Sequence, residues 1–188
     1  MAMDDHALTE LALRAREGDR DAATRFVEHT QQQVWRMLVA LSDRTVAEDL
    51  TQETYARAFR SLPGFRAESS VRAWLLAIAR RVAADQLRAA KVRPQIDPDA
   101  AVEDAPGARD GADLGESVAL HAMLDQLDPD RRLAFLLTQL LGLSYQEAAE
   151  VCGCPVGTIR SRVARARDEL VAQMSDDLPG TRRAARPT

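Results

Sequence analysis

The sequence predicts an all-α protein: two small helical domains joined by a flexible acidic linker, the second a four-helix domain with a helix-turn-helix. Three observations carry that expectation. Apolar residues recur at helical spacing through both halves of the chain. Gly and Pro are few, nine and eight in 188 residues, and they cluster at the ends of those stretches. Between residues 94 and 115 the apolar pattern stops, and breakers and acids replace it.

The first domain is expected over 8–93. A short helix from Leu8 to Glu17 is stopped by Gly18, and Asp19 caps a second helix over Asp21 to Leu41. In that helix Val27, Thr30, Val34, Met37, Leu38 and Leu41 define one buried stripe, and Ser42 with Asp43 breaks it. A third helix, Val46 to Ser61, buries Val46, Leu50, Tyr55, Phe59 and Leu62 or their neighbours, and Pro63 and Gly64 end it. After a loop from Leu62 to Ser70, Ser70 caps a long helix from Val71 to about Lys91. Its apolar stripe is Val71, Trp74, Leu75, Ile78 and Val82, while Arg80, Arg81 and Arg88 fall on the other side.

The linker, 94–115, holds Asp97, Asp99, Glu103, Asp104, Asp110 and Asp113 against Arg109 alone. Low hydropathy with charge of one sign predicts a disordered segment.

The second domain is expected over 116–174. One helix covers Glu116 to Leu127. Asp128 followed by Pro129 is an N-cap with proline at the first helical position, and starts a helix running to Leu141, where Gly142 stops it. Ser144 to Glu147 form a capping box for a short helix that ends near Cys152 and Gly153. Pro155 and Val156 introduce the last helix, to about Met174, and the tail beyond Asp176 reads as unstructured.

Two helices joined by a tight turn at Gly153, with small Ala148 and Ala149 allowing close approach, make a helix-turn-helix. Ile159, Val163, Ala166 and Leu170 face the core. The remaining surface of the last helix carries Thr158, Arg160, Ser161, Arg162 and Arg165, the residues a recognition helix would present to the major groove. A solvated arginine face paired with Asp168 and Glu169 is the plainer alternative; the coincidence of capping box, turn and basic face favours DNA. Cys152 and Cys154 flank the turn. They read as small hydrophobes packing it, against the alternative of a redox or metal switch.

Composition excludes other classes. The net charge is −4, which argues against non-specific coating of nucleic acid, and 24 of the 25 basic residues are Arg, Lys91 being the exception. His6, His29 and His121 are scattered, so no metal site or cofactor is expected, and two cysteines so close together suit a reduced cytoplasmic protein. The N-terminus carries acids and no apolar run, and no stretch approaches the roughly 20 apolar residues of a membrane span, so no membrane insertion is expected. No nucleophile–base set and no phosphate-cradling glycine loop is present, so catalysis is not expected.

The segment GLSYQEAAEVCGCPVGTIRSRVARARDEL resembles the region 4 helix-turn-helix of extracytoplasmic-function (ECF) sigma factors of the sigma-70 family. AEDLTQETYARAF, Ala47 to Phe59, resembles their region 2.2, and Phe65 through Ser69, Trp74 and Leu75 to Arg88 resembles regions 2.3 and 2.4. The resemblance covers about 8–93 and 116–172. The Arg-rich, Lys-poor usage suggests an actinobacterial source, and the region 4 text reads most like the mycobacterial sigma-C group.

The resemblance implies a sigma factor that directs core RNA polymerase to promoters and helps open them. Glu48, Asp49, Gln52 and Glu53 would dock on the clamp-helix coiled coil of the polymerase β′ subunit, and an acidic face suits a basic partner. The loop Leu62 to Ser70 would hold a flipped base of the −10 element, Phe65 and Arg66 stacking or clamping and Ser69 bonding an edge. Phe65 tucked into the core is the even alternative, and Trp74 is expected in the core. Arg72, Arg80, Arg81 and Arg88 would follow the DNA backbone. The second domain would read the −35 element through Thr158, Arg160, Ser161, Arg162 and Arg165, and bind the flap of the β subunit. An anti-sigma factor is a further partner that the resemblance allows. The acidic linker would mimic nucleic acid in the polymerase channel, or serve only as a spacer. A stand-alone helix-turn-helix regulator is the rival reading, with an enzyme or a decoy binding module behind it. A compact free form is expected to mask the recognition helix.

Overall fold

The helix starts are written in cap chemistry. Asp4 accepts from the Ala7 amide at 2.8 Å and opens α1, Asp5–Arg16. Asp19 accepts from the Ala22 amide at 2.9 Å and opens α2, Arg20–Leu41. α3, Arg44–Ser61, runs into a short 3₁₀ turn, Leu62–Gly64. Then follow α4, Val71–Val92; α5, Pro129–Phe135, capped by Asp128; α6, Tyr145–Cys152; and α7, Val156–Asp176. The computed structural model describes residues 3–42, 44–92 and 122–176, and every regular element among them is helical. The expected linker over 94–115, the start of the 116–127 helix and the tail from 177 lie outside the described residues; within 122–127, residues 122–125 are helical. Among the described residues no helix is long and apolar enough to cross a membrane.

In the first domain α2, α3 and α4 pack on one another, and α1 lies against α2 and α4. Phe26, Thr30, Val34, Met37 and Leu38 of α2 are buried against Leu75, Leu76 and Val82 of α4. The expected stripe of α2 therefore rotates slightly: Phe26, Ala22 and Ala40 join it, and Val27 and Leu41 sit half-buried at its edge. α3 begins two residues earlier than expected and buries Ala47, Leu50, Thr54, Tyr55 and Ala58, while Phe59 turns outward at 37% exposure. Thr30 and Tyr55 satisfy each other's hydroxyls at 2.7 Å, and the Thr30 hydroxyl also lies 2.6 Å from the Phe26 carbonyl. Burial pushes the Tyr55 phenol up to about 12.

In the second domain α5 and α6 both pack on α7. Leu133, Leu137, Ala148, Ile159 and Val163 form its centre, and Leu124, Leu127, Ala166 and Leu170 a satellite cluster. The helix expected to run to Leu141 changes character at Leu136, where residues Leu136–Leu140 form a π-helical turn. The wider turn lets the Leu141 amide reach the Leu136 carbonyl at 2.9 Å and the Leu143 amide reach that of Leu137 at 2.9 Å, while Gly142 takes φ +69°. α6 carries the full capping box: the Glu147 amide donates to Ser144 Oγ at 3.2 Å and the Ser144 amide to Glu147 Oε2 at 2.8 Å. It ends at Gly153 in the left-handed region, φ 65° and ψ 38°, where a Cβ would strain the backbone.

The two domains are packed together, α4 against α6, and their buried residues form one continuous cluster. Polar contacts finish the seam. Arg72 Nη2 and Gln33 Nε2 both donate to the Leu141 carbonyl, at 3.0 and 3.1 Å, and Arg72 Nε donates to Gln33 Oε1 at 3.2 Å. Burial opposes the charge of Glu147. The Ser144 amide and hydroxyl, the nearby Ser70 hydroxyl and the Arg72 guanidinium still hold its pKa below the usual glutamate value. The closed form differs from the expectation that it would mask the recognition helix: it covers α6 and one face of α4 and leaves Arg160, Ser161 and Arg165 of α7 exposed.

Candidate nucleic-acid interface

α7 is positioned by its apolar side. Ile159, Val163, Ala166 and Leu170 are all buried. At about 100° per residue, this aims Ser161 and Arg165 away from the core and sets Arg160 and Arg162 on opposite flanks. Arg160 and Arg165 are exposed and have no partner among the described residues. Ser161 is exposed and donates to the Thr158 carbonyl at 2.9 Å; Thr158 is half-buried. Arg162 departs from the expected grouping. It is ion-paired with Asp130 of α5 and lies 3.7 Å from Cys154 Sγ. Among the described residues the arginines of this face do not pair with Asp168 or Glu169, and Glu169 is bound by Arg131 of α5.

The expected −10 residues separate into two groups. Arg66 and Ser69 are exposed at the loop's outer edge, and between them the chain bends with Ala67 at φ 56°. Phe65 is 5% exposed, its ring centroid 4.9 Å from that of Trp74, and Arg16 Nη1 donates to its carbonyl at 3.0 Å. The core alternative for Phe65 describes this structure, with Trp74 half-buried above it. The loop's end is anchored where Ser70 Oγ donates to Asp5 Oδ1 at 2.8 Å. Among the arginines, Arg81 is exposed and without a partner among the described residues, Arg88 is held by Asp85 at 2.6 Å, Arg80 is half-buried near Cys152, and Arg72 is spent within the seam.

On α3, Glu48, Asp49 and Gln52 are exposed, and Glu53 is half-exposed and bound by Arg57 at 2.7 Å. The Arg57 hydrogen bond holds the Glu53 carboxyl below its usual value. Arg57 also reaches Asp85 of α4 at 2.5 Å, which ties this face to the helix behind it. Sequence reading missed Phe59, an exposed aromatic on the same helix; its apolar type and spacing resembled a core position.

Both cysteines are free thiols, and among the described residues no group of three or more His, Cys, Asp or Glu is placed to hold a metal. Cys152 is buried, which pushes its thiol up to about 11, whereas Cys154 is half-buried at the turn. Under native conditions near pH 8, a thiolate-specific reagent is therefore expected to modify Cys154 and reach Cys152 only on unfolding. Equal rates at both would contradict the burial. For a thiol or phenol with a raised folded pKa, the stabilisation is present below the unfolded pKa and lost as pH rises through the folded one. Cys152 and Tyr55 thus predict stability that falls as pH climbs from about 9 to about 12, readable in melts against pH.

Two helical domains, one presenting an unpaired basic recognition helix and the other a polar loop and acidic helix face, define a DNA-reading protein built to work with a partner. The sigma-70 region 2 family matches residues 26–93 and the sigma-70 region 4 family matches 117–170. The chain is 52% identical over 181 residues to the ECF RNA polymerase sigma factor SigC of Mycobacterium tuberculosis, covering 95% of this chain and 98% of that protein. Among solved structures it is similar to the sigma factor RpoE bound to the anti-sigma factor NepR of Bartonella quintana, with 29% identity and a TM-score of 0.65 over 82% of this chain and 97% of that one. It is also similar to CnrH in complex with the cytosolic domain of CnrY, with 26% identity and a TM-score of 0.73 over 91% of this chain and 99% of that one. The chain belongs to the extracytoplasmic-function group of the sigma-70 family, within its sigma-C-like branch. It is a sigma factor that directs core RNA polymerase to promoters.

Proposed function

We propose that this sigma factor reads its promoters through two separate faces. The second domain, over 116–174, takes the −35 element with Arg160 and Arg165, supported by Thr158 and Ser161. The first, over 8–93, engages the −10 element with Arg66 and Ser69, and with Arg80, Arg81 and Arg88 along the backbone. The observation that carries this is the pair of exposed arginines on α7 with no partner among the described residues, which leaves their guanidinium donors available for phosphates and guanine edges. Glu48, Asp49, Gln52 and Glu53 dock on the β′ subunit, and the second domain on β. No catalysis by this chain is required. Binding flipped bases and phosphates more tightly than paired DNA supplies the work of opening. The protein acts in the cytoplasm, where the polymerase is, and an anti-sigma factor is a fitting further partner, as for the RpoE relative solved with NepR.

The closed seam withholds part of this machinery. Arg72 joins the −10 set only when the domains part, because in the closed form it serves the Leu141 carbonyl. Phe65 likewise reaches a base only on leaving its packing with Trp74. Arg72→Ala removes charged hydrogen bonds of about 1.5–3 kcal/mol each. Small-angle scattering of the free variant is expected to show a larger radius of gyration than the parent. Identical scattering curves would mean that the apolar α4–α6 contact and the Gln33 bond to Leu141 hold the halves together without Arg72.

The deciding test adds the protein to sigma-free core polymerase and scores run-off transcripts from genomic promoter fragments. Defined starts that need both components establish the reading. Tight binding to operators by the protein alone, without transcripts, would favour a stand-alone regulator.

A further inference from the structure

Four arginines lie along the first turns of α7, and their fates differ. Arg160 and Arg165 are exposed and unpaired, whereas Arg162 and Arg167 are engaged within the fold. Arg167 Nη2 donates to Gln139 Oε1 at 2.6 Å. Arg162, with its side chain only 25% exposed, pairs with Asp130 and covers the Cys154 thiol at the turn.

Asp130 is well prepared for this contact. It stands in the first turn of α5, where a carboxylate is favoured by the helix dipole, and its amide donates to the Asp128 cap at 3.1 Å. Its neighbour Arg131 reaches Glu169, two turns further along α7 than Arg162. Two attachments on the same flank, about 10 Å apart along the axis, stop the recognition helix from rolling or sliding against α5. An exposed ion pair adds only about 0–1 kcal/mol to stability, so the pair's value lies in geometry, for which the planar guanidinium fork is suited.

We propose that Asp130, acting through Arg162, is a positioning residue for −35 recognition: it fixes the roll of α7 and so decides which side chains meet the base edges. Arg162 is then no phosphate contact. The inference rests on the reading of α7 as the −35 recognition helix.

The test uses the full chain with core polymerase on a promoter found by run-off, scored against a panel of single −35 substitutions. Asp130→Asn and Arg162→Ala are each expected to reduce discrimination against a mismatched base by about tenfold, the scale of a typical single mismatch. The double variant is expected to be no worse than either single one, since both remove one interaction. Asp130→Glu restores the discrimination. The salt dependence of binding and the melting temperature stay near those of the parent. A salt slope about 0.9 shallower in Arg162→Ala but not in Asp130→Asn makes Arg162 a phosphate contact and overturns the proposal. So do losses equal across all promoters that track a lowered melting temperature, which mark a fold role only. If Arg160→Ala with Arg165→Ala leaves −35 discrimination intact, the reading of α7 itself fails, whatever Asp130 does.

Discussion

With both Arg160 and Arg165 replaced by alanine, run-off transcripts that depend on this sigma factor are expected to disappear. The two side chains are the exposed, unpaired cations of the recognition helix, so their loss leaves no internal carboxylate stranded and does not disturb the core. A base-edge contact from arginine is worth about 1–3 kcal/mol of discrimination, and a phosphate contact adds about 0.9 to the salt slope. Two such losses together reduce promoter occupancy by roughly 30-fold or more. Helical content and melting should match the parent, since surface changes of this kind shift stability by about 0.5 kcal/mol at most. Full run-off from a −35-dependent promoter would show that another surface reads the element.

The second large effect is on folding. Phe26→Ala is expected to cost about 3–5 kcal/mol, enough to leave the first domain largely unfolded at growth temperature. Phe26 is 2% exposed, and its carbonyl is the acceptor for Thr30, whose hydroxyl pairs with Tyr55 of α3. The substitution opens a cavity at the meeting point of α2 with the helices around it. Thermal or urea unfolding followed by circular dichroism measures the loss. A melting temperature unchanged within a few degrees would mean that the neighbours collapse into the space, which close-packed helices rarely achieve.

Phe26 also marks where sequence reading was incomplete. The stripe on α2 was legible from its spacing, but its edge was not, because Val27 and Phe26 are adjacent apolar residues about 100° apart and only the partner helices decide between them. Phe59 failed for the same reason in the other direction. Local chemistry was read well: Asp19, the Asp128–Pro129 start, the Ser144–Glu147 box and Gly153 all act within one turn of themselves, so their neighbours in sequence are their partners in space. The π-helical turn at Leu136–Leu140 left no signal, since it answers to the demand that Leu143 reach back to Leu137.

The candidate site divides along the same line. The exposed polar positions Arg160, Ser161, Arg165, Glu48, Asp49 and Gln52 were legible as outward faces of regular helices. Arg162 and Arg72 were not, because each is claimed by a residue distant in sequence, Asp130 and Leu141 respectively, and Phe65 stood even between base and core until its packing on Trp74 placed it in the core. Periodicity names the side of a helix a residue occupies and says nothing of which long-range neighbour waits there.

Glu147 serves two neighbours at once. The same carboxylate that starts α6 also feels Ser70 and Arg72 across the domain boundary. Its effects are consequently pleiotropic. Any change at this position that loosened the union of the halves would fray the first helix of the reading head as well, and drift there is penalised twice.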